Sequence, residues 1–221
     1  MKYTYLLVNF FTIIVPFLFS FHPKLNFHKT WRAFFPAVIG TSLFFLIWDE
    51  YFTHLGVWGF NKNYLVGIYI FNLPIEEVLF FFCIPYACVF TYHCLDLWIN
   101  DLKQDNFVSL VLIIVLLVSA FLNFDKAYTL FAFLTLALLL LIAKYIVRVK
   151  WLMKFYLIYF ILLFPFLIVN GVLTGTGIEN PVVWYNENEI IGWRILTIPF
   201  EDIFYGMAMV LMNLLIYKRF L

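Results

Sequence analysis

Between Phe107 and Phe124 the chain carries no formal charge, and between Leu152 and Val169 it carries only Lys154. At about 1.5 Å per helical residue, runs of this length cross a hydrocarbon layer roughly 30 Å thick. A helix also pairs every backbone N–H and C=O within its own segment, as lipid demands. Both runs are therefore predicted to be spanning helices, with lipid as the solvent of the fold. The remaining sequence agrees: 65% of the residues are hydrophobic and only 12% are charged, against about 25% charged in soluble domains. Mean hydropathy is +0.97. A net charge of +1 argues against a nucleic-acid partner and against a polybasic membrane-surface patch.

Hydrophobic runs separated by charged or Pro/Asn/Gly-rich breaks predict seven spans, near 3–21, 33–48, 74–97, 107–124, 127–146, 152–170 and 198–217. The first follows Lys2 like a signal-peptide core, but no small-x-small cleavage site precedes His22, so a retained helix is expected. Cys83, Cys88 and Cys94 share one apolar segment without zinc-site spacing and read as small hydrophobes. His22, His28, His54 and His93 form no HExxH pattern, and no metal is expected. The absence of a G-x-G-x-x-G segment gives no indication of a Rossmann-bound flavin or nicotinamide, so no cofactor is expected either.

Two long loops, 49–73 and 171–197, each end at a proline-led helix, and they are related to each other. At a constant offset of 125 residues Asn61, Asn63, Gly67 and Pro74 recur as Asn186, Asn188, Gly192 and Pro199. Ile75-Glu76-Glu77 then meets Phe200-Glu201-Asp202, and Phe80 meets Tyr205. Internal duplication is common in membrane proteins. The predicted organisation is an all-α membrane bundle with a first three-helix repeat (1–106), a linking helix (107–126) and a second three-helix repeat (127–221). The third and seventh spans are four crossings apart, so the repeat is parallel and both proline-acid motifs open on one side of the bilayer. Lys2, Lys62, Lys126 and Arg194 lie on that side. The other side carries Lys24, Lys29, Arg32, Lys103, Lys144, Arg148, Lys150, Lys154, Lys218 and Arg219. Positive residues favour the cytoplasm, which predicts a cell-membrane protein with an external N-terminus and a cytoplasmic C-terminus.

Ordinary helix capping accounts for a single Pro-x-acid-acid start, since proline suits the first turn and acids there complement the helix dipole. Depth argues for more. With Lys218 and Arg219 at the cytoplasmic interface, residues 203–217 cover only about 22 Å of a roughly 30 Å core, so Glu201 and Asp202 are expected inside the hydrocarbon boundary. An intramembrane acid is a functional-site candidate by default. Burial and a neighbouring carboxyl both favour the neutral acid, which is a proton donor. Two such pairs, Glu76/Glu77 and Glu201/Asp202, in a chain that is 23% aromatic, suggest acid chemistry on an apolar molecule, with aromatic faces able to stabilise a carbocation. Pro74 and Pro199 set the helix starts, Arg194 is a candidate counter-ion or interfacial anchor, and Asn61, Asn63, Asn186 and Asn188 are candidates to hydrogen-bond the loops.

The segments Asn61 to Phe81, with Leu73-Pro74-Ile75-Glu76-Glu77, and Asn186 to Gly206, with Ile198-Pro199-Phe200-Glu201-Asp202, resemble the small membrane-embedded carotenoid cyclases. In that family two three-helix subunits, or their fusion, convert lycopene to cyclic carotenes. Chain length, span number and duplication are similar to the fused form. The resemblance implies lycopene β-cyclase activity, with Glu76, Glu77, Glu201 and Asp202 as catalytic candidates and no net redox change. It implies a linear carotenoid in the bilayer as substrate and lipid, with other carotenoid-pathway enzymes, as surroundings. Ring type, the number of ends cyclised and the individual acid stay open, because related members make ε or γ rings or hydrate the end group.

Three other classes share features of the chain. A three-plus-one-plus-three arrangement also describes the SWEET sugar carriers, but here the acids sit at helix ends and the helix centres are apolar. Asn100-Asp101 with Asp105 is similar to part of the diphosphate site of intramembrane prenyltransferases, yet no second such motif is present. A microbial rhodopsin would need an interior lysine in the last helix. The orientation is directly testable: in a background lacking the three native cysteines, Asn63→Cys and Asn188→Cys are each expected to react with an impermeant thiol reagent added to intact cells. Labelling only after the cells are opened would reverse the orientation.

Overall fold

The computed structural model describes residues 2–100, 102–103 and 106–221; Asp101 and Asp105 of the acidic loop motif lie outside them. Among the described residues there are seven α-helices: α1 Thr4–Phe19, α2 Trp31–Leu55, α3 Ile75–Asp96, α4 Asn106–Leu122, α5 Ala127–Leu141, α6 Leu152–Thr174 and α7 Glu201–Phe220. A π-helical turn, Ile142–Ile146, continues α5. Five of the helices, α2, α3, α5 with its π turn, α6 and α7, are long and apolar enough to cross a membrane. The apolar α1 and α4 are shorter, at 16 and 17 residues. The result is an all-α membrane bundle.

Helix direction follows from side-chain contacts at the two ends. Tyr5 near the start of α1 reaches Glu77 at the start of α3, and Ser20 just beyond α1 meets the Tyr86 hydroxyl further along α3 at 2.6 Å, so α1 and α3 run parallel. Asp96 at the end of α3 binds Lys154 at the start of α6 (2.7 Å) and Lys218 near the end of α7 (3.0 Å). Hence α3 and α7 are parallel and α6 opposes them. The Lys218 ammonium also lies 4.7 Å from the Tyr92 ring centroid, a cation–π contact that favours its partial burial.

The second helix runs to Leu55, seven residues past its predicted end. Asp49 and Glu50 look like a break in the apolar run, but Asp49 is buried and accepts a hydrogen bond from the Trp58 indole at 2.5 Å. A paired acid does not have to leave the bundle. Both long loops also hold short strands that the sequence pattern does not announce. Tyr69–Ile70 (β2) pairs with Leu73–Pro74 (β3), and Arg194–Ile195 (β5) pairs with Ile198–Pro199 (β6). Two residues are too few for an alternating pattern to show. Their turns place Phe71 and Leu196 in the left-handed region, at φ 55° and 58°, where a non-glycine residue is uncommon.

The remaining pair, β1 (Trp58–Phe60) with β4 (Val183–Tyr185), joins the two loops. Trp58 stands opposite Tyr185, Gly59 opposite Trp184 and Phe60 opposite Val183. Since 58–60 and 183–185 are themselves equivalent at the 125-residue offset, this antiparallel pairing exchanges the copies and lies on a local two-fold axis. The flanking bonds obey the same symmetry: Asn61 N–H donates to Val182 O and Asn186 N–H to Val57 O, both at 2.8 Å. Asn61 and Asn186 each accept from the backbone of Asn63 and Asn188, both at 3.1 Å.

Asp96 ties three helices together at the end opposite these strands. Asp96→Asn removes the charge shared by two partly buried lysines and is expected to lower stability by about 2 kcal/mol, within the range for hydrogen bonds to charged groups. Thermal unfolding in detergent should show the lower midpoint, with an unchanged midpoint counting against the clamp.

Candidate active site

Adjacent residues on a helix point about 100° apart, so the two acids of each motif cannot share a direction, and the structure gives them separate surroundings. All four are buried. The first acid of each motif turns to its own loop: Glu76 Oε1 accepts the Val66 N–H and Glu201 Oε1 accepts the Ile191 N–H, both at 2.6 Å. Val66 and Ile191 are again equivalent at the repeat offset. Thr129 adds a second donor to Glu201 Oε1 at 2.6 Å, while the Asn9 amide donates to the Glu76 carbonyl at 2.7 Å. These acids hold each loop over its helix start. Pro74 and Pro199 contribute extended backbone in β3 and β6 immediately before those helices.

The second acid of each motif turns inward. Glu77 and Asp202 both line one cavity of about 680 Å³. Tyr5 of α1 donates its hydroxyl to Glu77, and Tyr128 of α5 donates to Asp202 at 2.6 Å. Asp202 has a further donor in the Tyr185 hydroxyl at 3.0 Å. Burial first, and then the charge of Asp202, push the Tyr185 hydroxyl well above its ordinary pKa, so it remains protonated and able to donate.

The cavity walls are chiefly apolar and come from both repeats: α1 and α3 on one side, α6 and α7 on the other, with β1 and β4 closing the loop end. Tyr205 supplies an aromatic face, packed at ring-centroid distances of 5.1 Å from Phe45 and 5.0 Å from Trp48. Phe80 and Phe81 of α3 and Phe166 of α6 add others. Leu7, Phe11 and Val15 of α1 and Ile168 of α6 both line the cavity and remain exposed on the outside of the bundle. An apolar molecule dissolved in lipid therefore has a lateral way in between these helices.

Arg194 directs its guanidinium to Glu187 at 2.5 Å and to the Thr197 carbonyl at 2.7 Å, rather than to Glu201 or Asp202. Its equivalent, Tyr69, occupies the matching strand position in β2. Among the described residues no three His, Cys, Asp or Glu side chains gather closely enough to hold a metal ion.

The cavity also contains residues not singled out from the sequence. Tyr5 and Tyr128 make equivalent bonds but recur at an offset of 123 residues, two short of the loop offset, so a comparison at one unbroken spacing passes over them. Asp49 lines the cavity as well; its only signal in the sequence is an acid pair interrupting an apolar run.

Comparison with known proteins follows the same two segments. A family model described as lycopene cyclase matches residues 2–95 and 125–220. No curated protein and no solved structure matches the chain significantly. The family match extends over most of the chain, leaves out mainly α4 and its flanks, and includes both acidic motifs with the tyrosines that hydrogen-bond them; the chain belongs to the lycopene cyclase family.

Proposed function

We propose that the chain is a lycopene β-cyclase, closing the linear ends of lycopene to β rings and giving first γ-carotene and then β-carotene. The observation that carries this is the meeting of Glu77 and Asp202, one from each motif, in a single apolar cavity reached from the lipid side. A carboxyl proton adds to C2 of the end group and leaves a tertiary cation at C1. The C5–C6 double bond supplies the electron pair for the new C1–C6 bond, which moves the cation to C5. Loss of the C6 proton to a carboxylate restores a C5–C6 double bond as the β ring. One proton enters and one leaves, so the product is an isomer and the enzyme class is an intramolecular lyase.

Hydrogen bonding to a carboxylate favours its charged form. Asp202, with two tyrosine hydroxyl donors, suits the base, and Glu77, with one, suits the acid. Tyr205 and the phenylalanine faces border the same cavity and would face the developing positive charge, and preorganised electrostatic stabilisation of that kind is a large contributor to enzymatic rate. Glu76 and Glu201 act by holding the loops. The excess of Lys and Arg on the opposite side supports an arrangement with the hairpin loops and N-terminus outside and the C-terminus in the cytoplasm, the repeats 1–106 and 127–221 flanking a linking crossing.

Pigment extraction from a lycopene-accumulating host that expresses the chain tests the activity. Cyclic carotenes are expected, and unchanged lycopene alongside normal membrane accumulation would remove the assignment. In the same host Glu77→Gln and Asp202→Asn are expected to lower ring formation by about 10²-fold or more, as loss of a general acid or base does. Glu76→Gln and Glu201→Gln retain an acceptor for the loop N–H groups and are expected to be milder. Equal, near-parental cyclisation in all four variants would return these acids to a purely capping role.

A further inference from the structure

We propose that Asp49 is a third carboxyl of the reaction site and shares with Glu77 the proton delivered to the substrate. This rests on the cyclisation proposed above and assigns a group that neither motif contains. Asp49 projects from α2 into the cavity that holds Glu77 and Asp202 and is 2% exposed. Its Oδ1 accepts the Trp58 indole N–H at 2.5 Å. Its Oδ2 is buried without a hydrogen-bond partner.

A buried carboxyl oxygen left unpartnered is costly; Glu76 Oε2 and Glu201 Oε2 are also buried without a partner, but of these three residues Asp49 alone lines the cavity. Asp49 of α2 and Glu77 of α3 line the same cavity. Two neighbouring carboxyls withdrawn from water disfavour each other's charged form, so that one of the two retains its proton. Asp202 is placed differently, since its two oxygens each accept from a tyrosine hydroxyl. Asp49 thus distinguishes the two ends of an otherwise symmetric site.

The repeat supports the distinction. The equivalent helices α2 and α6 both end at a left-handed glycine cap, Gly56 and Gly175, and seven residues before these caps stand Asp49 and Ile168, both of which border the cavity. The second repeat therefore contributes an alkyl side chain where the first contributes an acid with a bare oxygen. In the reaction the proton leaves the Asp49–Glu77 pair for C2, the C1–C6 bond forms, and the C6 proton passes to Asp202. Return of that proton to the pair restores the site, with no oxidant or reductant involved.

The test compares Asp49→Asn and Asp49→Glu with the parent and with Glu77→Gln in a lycopene-accumulating host, measuring cyclic carotene per mole of monodisperse membrane protein. Asp49→Asn keeps an acceptor for Trp58 and removes the acid; at least a tenfold loss is expected. Asp49→Glu restores a carboxyl and is expected to recover clearly more activity than the amide. If Asp49 only anchors the indole, the amide will serve as well and near-parental cyclisation will overturn the proposal. Equal losses in both variants, or failure of Asp49→Asn to accumulate, would likewise assign Asp49 to shape or folding and overturn it. A parent chain that forms no rings would instead defeat the cyclase assignment, whereas an active parent with inactive Glu77→Gln and active Asp49→Asn would defeat only the role of Asp49.

Discussion

Carboxyl groups in a hydrocarbon layer have to find partners within the protein, and much of this bundle is arranged around meeting that demand. Glu76 and Glu201 each place one oxygen on a backbone N–H of the loop ahead, which brings each loop back over the start of its own helix. Glu77 and Asp202 are satisfied by tyrosines from α1 and α5, which fixes the register of α1 against α3 and of α5 against α7. Without the acids neither the folded loops nor those helix pairings would be specified to this degree, because lipid-facing apolar surfaces slide past one another with little preference. The same groups that orient the fold are the groups available for chemistry.

The two halves are alike in their bonds and unlike in their packing. In the first, α2 lies closely along α7; in the second, the equivalent α6 stands further from α3, and the space released is the cavity. Its exposed edge, formed by Leu7, Phe11, Val15 and Ile168, opens toward acyl chains rather than water. A carbocation generated behind that edge would meet aromatic faces and apolar walls, which would favour ring closure over capture by solvent. Pseudo-symmetry supplies one acid from each copy, and the departure from symmetry supplies the room.

Much of this was legible in the sequence. The constant 125-residue offset identifies both motifs, the parallel sense of the repeat and the equivalence of Asn61 with Asn186. Span positions follow from charge-free runs, because lipid imposes a length and a composition. Three things were hidden. The separation of Glu76 from Glu77 depends on where the loops pass above the helix start, and strands of two residues carry no period from which to read it. Asp49 was hidden because a charge within an apolar run looks like its end; only the Trp58 indole, brought across by the β1–β4 pairing, shows that α2 continues. The tyrosines were missed through a two-residue slip between helix and loop equivalences, a length difference that one fixed spacing does not register.

Where β1 meets β4, Gly59 faces Trp184 across the local two-fold, and the indole occupies the space that a side chain at position 59 would need. A residue on such an axis would meet its own twin if two copies of one half associated. Two glycines there would leave a hole, and two tryptophans would collide. The pair therefore works as a key and a slot: each half carries the shape that accepts the other and rejects itself. The two acidic motifs are thereby brought together as an unlike pair, and each can change without having to match a partner identical to itself.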